Sequence, residues 1–186
     1  MNPRQSSIDR IEEYSRQLFT RFIIGRNKEF YMEHPDYIDP QTVGSPCDML
    51  LTGTTLEPLA IEFKFRNIPS YVKSVKEKGL LIEEHKIQEL NKIYRTSQHK
   101  PLYVNFFKDG KVFIWDLTKI DWEKHGTETI ECDKSTISNS SEQKVKDVRY
   151  LFEEEAAKKK LDLSDKRTSS LIKCILEELR ISKLFK

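Results

Sequence analysis

The run from Ser45 to Arg66, SPCDMLLTGTTLEPLAIEFKFR, constrains this chain more than any other stretch. Two apolar segments, about Cys47 to Leu51 and about Leu59 to Arg66, flank the turn-forming letters TGTT, and this pattern predicts a β-hairpin. The side chains of a strand alternate between its two faces. Glu62 and Lys64 therefore share one face of the second strand. The apolar residues of that strand share the other face: Ile61, Phe63 and Phe65.

Asp48 places a third charged residue in this apolar hairpin. Burying a carboxylate or an ammonium is costly unless the groups pair, bind a metal or take part in chemistry. The chain contains four acidic-x-Lys triplets, but only Glu62-Phe63-Lys64 lies in an apolar strand that follows an aspartate-bearing strand. The hairpin therefore predicts either a metal-binding catalytic site or a salt bridge of Lys64 with Asp48 or Glu62 that serves the fold alone.

The other patterns predict one sheet flanked by helices. Glu12 falls on the flank of the apolar side of the first helix, and Gln88 falls in a polar stripe beside the buried side of the second. The predicted elements are a helix at 6–25, a weak strand at 28–34, the hairpin above, a helix at 80–96, and strands at 101–107 and 111–117 joined by the letters KDG. The predicted class is thus α/β, with a mixed sheet.

The sequence divides into a core at 1–120 and a more polar part at 121–186. Two helices are predicted in the second part, at about 142–161 and 165–184, with Ser164 or Asp165 capping the latter. The last helix is amphipathic, so it is expected to pack on the core or on a partner chain. The second part is therefore interpreted as a linker followed by a helical C-terminal extension.

Composition sets weaker bounds on partners and compartment. The chain has 186 residues and a net charge of +2, so any basic surface must be local. Three cysteines without a CxxC pair argue against a disulfide framework or a structural zinc site. The N-terminus lacks the apolar core of a signal peptide, and no apolar run reaches membrane-spanning length. We therefore expect a cytoplasmic protein with no membrane partner.

The hairpin and its neighbours resemble the PD-(D/E)xK nuclease superfamily, the restriction-endonuclease-like fold. That family has an α-β-β-β-α-β core, with an aspartate opening the second strand and an acidic-x-Lys triplet in the third. The matching residues are Ser45-Pro46-Cys47-Asp48 and Ile61-Glu62-Phe63-Lys64-Phe65, within a resemblance that covers about 6–117. Cys47 interrupts the strict Pro-Asp dipeptide. The letters EHKIQ at 84–88 resemble a second-helix signature of endonuclease-like and resolvase-like branches.

The resemblance implies Mg²⁺-dependent hydrolysis of nucleic-acid phosphodiester bonds, with Mn²⁺ as a substitute metal. The expected metal ligands are Asp48, Glu62, the backbone carbonyl of Phe63, and Glu12. Lys64 would orient or deprotonate the attacking water and stabilise the charge that develops on the phosphate. Gln88 would contact the water or the scissile phosphate, and Lys86 is the alternative residue for that role.

The partner implied by the resemblance is nucleic acid, DNA before RNA, bound as duplex, branched or single strand. Four basic residues are expected to contact it: Lys73, Lys76, Lys86 and Arg95. The family analogy also allows a homodimer, because a duplex has two strands to cut. The alternative from another functional class is a non-catalytic nucleic-acid-binding or structural protein on the same fold.

Overall fold

The computed structural model describes residues 10, 11, 13–19, 21, 22, 38–40, 47–51, 57–133 and 143–184. The strands are β1 Ile38–Pro40, β2 Met49–Leu51, β3 Leu59–Arg66, β4 Leu80–Glu83, β5 Lys100–Phe107, β6 Lys111–Asp116, β7 Glu128–Asp133, β8 Gln143–Leu151 and β9 Ala157–Lys160. The helices are α1, which comprises the described residues between 10 and 22, then α2 Lys73–Lys78, α3 Glu84–Ser97 and α4 Lys166–Leu184.

Six strands form a central mixed sheet in the order β1-β2-β3-β5-β6-β9. Neighbouring strands are antiparallel except β3 and β5, which run parallel and are connected through α3. A second sheet has the order β4-β8-β7. The two predicted hairpins, β2–β3 and β5–β6, are confirmed, as is the α/β class with a mixed sheet flanked by helices.

The strands β3 and β5 lie at the centre of the sheet, and both of their faces are covered. On one face, α1 and α4 supply apolar side chains, and the rings of Phe19 and Phe63 stack with centroids 5.3 Å apart. The buried residues of this cluster are Leu18, Phe19, Phe22, Met49, Ile61, Phe63, Val104, Phe106, Val112, Leu161, Ile172 and Ile175. Burying them provides the main driving force for docking both helices.

The other face packs against α3 and the small sheet. Its buried cluster combines residues of β4, α3, β6 and β8, among them Ile82, Leu90 and Leu151, around the fully buried Trp115. The indole N–H of Trp115 donates a hydrogen bond to the carbonyl of Phe152 at 2.9 Å. This bond ties the central sheet to the segment that follows β8.

The helix predicted at 80–96 begins four residues later than expected. Leu80–Glu83 forms the strand β4, which pairs with β8, and alternate residues Leu80 and Ile82 are buried. Period-two burial is the signature of a strand rather than a helical turn. The segment at 67–78, for which no helix is predicted, contains the short helix α2. The weak strand at 28–34 lies outside the described residues.

The helix predicted at 142–161 is wrong. That segment forms β8, a 3₁₀ turn at Glu153–Glu155, and β9. Pairing of β8 with β4 and of β9 with β6 overrides the helical propensity of the letters EEEAAKKK. Helix α4 is confirmed. Its cap is Asp165, whose Oδ2 accepts hydrogen bonds from the amide and hydroxyl of Thr168.

The C-terminal third therefore contributes to both sheets rather than forming only a helical extension. β9 is the edge strand of the central sheet, and its residues AKKK are all exposed. Lysines on an edge strand discourage pairing with the edges of other sheets. Among the described residues, no helix is long and apolar enough to cross a membrane.

The turn between α2 and β4 offers a test of this arrangement. Gly79 has a φ of +77°, and a Cβ built there would lie 2.7 Å from the carbonyl oxygen of Leu151. We expect Gly79→Ala to lower the stability by about 2 kcal/mol or more, which corresponds to a fall in Tm of roughly 4–8 °C. The matched control is Gly126→Ala, because nothing lies within 4 Å of a Cβ at that position. Equal melting temperatures for the two variants would contradict the described packing of β4 against β8.

Candidate functional site

Asp48 immediately precedes β2 and is held against β3 by two hydrogen bonds. Its backbone N–H donates to the carbonyl of Ile61 at 2.9 Å, and its Oδ2 accepts from the N–H of Phe63, also at 2.9 Å. No other hydrogen bond reaches its carboxylate within the described part of the chain. The aspartate is thus fixed beside the middle of β3 with one carboxylate oxygen available.

Glu62 is the most deeply buried charged residue of the site, with only 1% of its surface exposed. Its Oε1 lies 3.1 Å from the Nζ of Lys64, and its Oε2 lies 3.4 Å from the Nζ of Lys86. Although Lys86 is near, Oε2 is buried and accepts no hydrogen bond from the described residues. The ammonium of Lys86 offsets part of the cost of burying this oxygen, and a directly bound cation would offset more.

The two carboxylates lie close enough to repel each other. Burial, and then the negative charge of Glu62, raise the pKa of Asp48 to about 6, against the opposing effects of Lys64, the Phe63 amide and Lys86. A neighbouring like charge raises a carboxyl pKa because it disfavours the ionised form. Asp48 and Glu62 therefore form a carboxylate pair that additional positive charge would stabilise.

Lys64 is held as a cation by its surroundings. Burial lowers its pKa, but the negative charge of Glu62, followed by Tyr103 and Asp48, outweighs burial and raises the pKa above its usual value. Its side chain is nevertheless 49% exposed. Lys64 can therefore offer an ammonium group to a ligand in solvent, which suits charge stabilisation better than proton removal.

The carbonyl of Phe63 faces the same edge of β3 as Asp48. The N–H and C=O of one strand residue point to the same neighbour, and the N–H of Phe63 points to the Asp48 carboxylate. Among the described residues, no group of three or more His, Cys, Asp or Glu side chains is placed to hold a metal. Mg²⁺ is often bound by one or two carboxylates together with water and phosphate oxygens, so two carboxylates and a carbonyl fit it.

Helix α3, the second predicted helix, contributes Lys86 rather than Gln88 to the site. Lys86 is half-buried and faces Glu62, whereas Gln88 is exposed. Residues two positions apart on a helix, such as Lys86 and Gln88, are separated by about 200° around its axis. When Lys86 faces Glu62, Gln88 therefore points away from it. The preference for Gln88 is therefore corrected in favour of the alternative, Lys86. Glu12 lies outside the described residues.

The remaining basic residues predicted to contact nucleic acid lie on the surface. Lys73 and Lys76 are exposed on α2, and Lys73 pairs with Glu77 at 3.5 Å. Arg95 is exposed in the last turn of α3. Of the four basic residues predicted to contact nucleic acid, Lys86 alone forms a described ion pair with a carboxylate of the site, that of Glu62.

Three further polar residues share the site face, and the sequence analysis missed them. Arg66 follows Lys64 at the next position on that face of β3, and the β5 partners of Glu62 and Lys64 are Tyr103 and Asn105. The alternation already used for Glu62 and Lys64 could have identified Arg66. The same alternation in PLYVNFF places Tyr103 and Asn105 on one face of β5.

The raised pKa of Asp48 predicts a pH dependence in metal-free protein. The pKa of Asp48 is 3.8 in the unfolded chain and about 6 in the native state. Between these two pH values, the native state binds more protons at Asp48 than the unfolded chain does. Stability should therefore fall with rising pH across that window, by up to about 3 kcal/mol relative to Asp48→Asn. Urea unfolding in EDTA from pH 4 to 7.5 measures the difference. Parallel stability curves for the two proteins would contradict the raised pKa of Asp48 and the burial that is its main cause.

Comparison of the chain with models of protein families, with curated proteins and with solved structures found no match.

Proposed function

We propose that this protein is a metal-dependent nuclease that hydrolyses phosphodiester bonds, with DNA as the preferred substrate and internal cleavage as the reaction. The observation that carries the proposal is the state of Glu62. One of its carboxylate oxygens is buried without a hydrogen bond, beside a second carboxylate whose protonation it favours. A hard divalent cation between Glu62 and Asp48 would satisfy both groups.

The order and pairing of elements support this proposal. α1 precedes three antiparallel strands, β1-β2-β3, and α3 then leads to β5, which runs parallel to β3. This order is similar to the α-β-β-β-α-β order that the resemblance to the PD-(D/E)xK nucleases implies, with α2, β4 and the second sheet as additions. Asp48 before the second strand and Glu62 with Lys64 in the third stand at the positions that the resemblance implies.

Each residue of the site has a role in this proposal. Asp48, Glu62 and the Phe63 carbonyl would hold Mg²⁺, which when bound would supply positive charge for the phosphate and acidify water. Lys64, half-exposed and protonated, donates to a phosphate oxygen and stabilises the charge that develops there. Lys86, half-buried, approaches Glu62 from α3 and orients its carboxylate.

A second candidate function rests on the two lysines. Lys64 and Lys86 already compensate the charge of Glu62 without any ligand. A buried ion-pair network of this kind also fits a non-catalytic protein that binds nucleic acid or serves a structural role on the same fold. The two candidates differ in their response to Mg²⁺.

Cleavage assays test the proposed activity directly. With Mg²⁺ or Mn²⁺, we expect cleavage of at least one substrate among plasmid, linear duplex, four-way junction, single-stranded DNA and RNA. EDTA should abolish it, and Glu62→Gln and Lys64→Ala should each reduce the rate by about 10²-fold or more, because both remove charge from the reacting centre. The matched control is Lys111→Ala, which alters the exposed lysine of another acidic-x-Lys triplet.

Cleavage that persists in Glu62→Gln and Lys64→Ala would assign the activity to a contaminant or to another site. Absence of cleavage of every substrate by the wild type would favour the non-catalytic candidate.

Metal binding can be measured without any substrate. Mg²⁺ at one hundred times its Kd should stabilise the wild type by about 2.7 kcal/mol. Asp48→Asn and Glu62→Gln should each lose most of this effect, while Glu57→Gln, at an exposed residue paired with Lys100, should keep it. Without metal, Asp48→Asn should be more stable than the wild type at pH 7, because it removes a charge that burial and, to a smaller extent, Glu62 disfavour. Equal stabilisation of all four proteins by Mg²⁺ would contradict the proposed metal site.

A further inference from the structure

Arg66 extends the site face of β3 by one position beyond Lys64, and its positive charge is not neutralised. Its Nε donates to Asn105 Oδ1 at 2.5 Å, and its Nη2 donates to the Tyr103 hydroxyl at 3.0 Å and to the Leu81 carbonyl at 3.2 Å. All three acceptors are neutral. Within the described residues, no carboxylate lies within 4 Å of this guanidinium, and its Nη1 donates no hydrogen bond.

Other part-buried arginines of the chain differ in this respect. Arg10 binds Glu178 at 2.5 Å, Arg21 binds Asp165 at 2.7 Å, and Arg149 binds Glu84 at 2.5 Å. Arg149 is the closest match, because it also donates to two backbone carbonyls but has a carboxylate partner as well. A guanidinium bonded only to neutral groups retains its affinity for an anion.

Asn105 adds a second donor without an acceptor. Its side chain is fully buried, and its Oδ1 is occupied by Arg66. Its Nδ2 has no hydrogen-bond partner among the described residues. A buried amide left in this state costs about 1–3 kcal/mol. The Tyr103 hydroxyl oxygen accepts from Arg66 Nη2 and does not accept from Asn105 Nδ2.

We propose that Arg66 and Asn105 form a subsite for a phosphate group. An oxyanion offers several acceptor oxygens and a negative charge, which are the two features that this pair lacks. The assignment of the bound group to the substrate rests on the proposed nuclease function. Lys64 and Arg66 are about 6.6 Å apart along the strand, a spacing comparable to that of adjacent phosphates in one nucleic-acid strand. Lys64 would contact the scissile phosphate and Arg66 its neighbour.

The competing explanation is that Arg66 only links β3, β5 and β4. Removal of the guanidinium alone would not separate the two roles, because it would also break those links. Asn105→Asp separates them. It places a carboxylate against Arg66, keeps the interstrand contact and neutralises the charge, so it should preserve the fold and abolish phosphate binding.

The first measurement is a titration with inorganic phosphate in EDTA, followed by calorimetry and thermal unfolding. We expect the wild type and Arg149→Gln to bind phosphate, Arg66→Gln to bind it at least tenfold more weakly, and Asn105→Asp to show no binding while unfolding at or above the wild-type temperature. Arg66→Lys should bind with intermediate affinity. Unchanged phosphate affinity in Asn105→Asp, or absence of binding by the wild type, would overturn the subsite.

A second measurement uses the wild type and Asn105→Asp with Mg²⁺ and a 5′-hydroxyl oligonucleotide that the wild type cleaves. We expect KM to rise at least tenfold, with a smaller change in kcat, since Arg66 contacts a phosphate that does not react. An unchanged KM, despite lost binding of inorganic phosphate, would overturn the assignment to a backbone phosphate. Because the titration needs neither metal nor cleavage, it detects the subsite even if the nuclease assignment fails.

Discussion

The burial of Glu62 in the central strand of the sheet is the constraint on which the rest of the site depends. A carboxylate at 1% exposure is tolerated only where positive charge surrounds it, and Lys64 and Lys86 approach it from the strand and from α3. This requirement fixes the rotation of α3 against β3. Asp48 adds a second carboxylate beside Glu62, and burial together with the charge of Glu62 raises the pKa of Asp48 to about 6.

Local rules predicted the part of the site that lies on one strand. Alternation of side chains is an intrinsic property of a strand, so the shared face of Glu62 and Lys64 follows from their spacing. The choice between Lys86 and Gln88 could not be made in this way. Both flank the buried residues Ile87 and Leu90, and only the docking of α3 on the sheet decides which flank faces Glu62.

The fold shows the same division between local and distant interactions. The two hairpins and α4 were predicted because their turns and cap lie within the segments themselves. The helix prediction at 142–161 was wrong, because the strands of this segment pair with β4 and β6, which lie far away in the sequence. Helical propensity is only a weak guide where such distant pairings are available. The contacts of Arg66 with Tyr103 and Asn105 could not be predicted from alternation alone, because they form only when β3 and β5 come together.

The packing of α1 against α4 has a consequence for synthesis of the chain. Arg10 pairs with Glu178, and Ile172 and Ile175 of α4 complete the apolar layer over Phe63. A chain growing on a ribosome cannot close this layer until α4 has been made and has left the ribosome. Until then, the face of β3 opposite Glu62 and Lys64 is exposed to water, so β3 reaches its final burial only after α4 has docked.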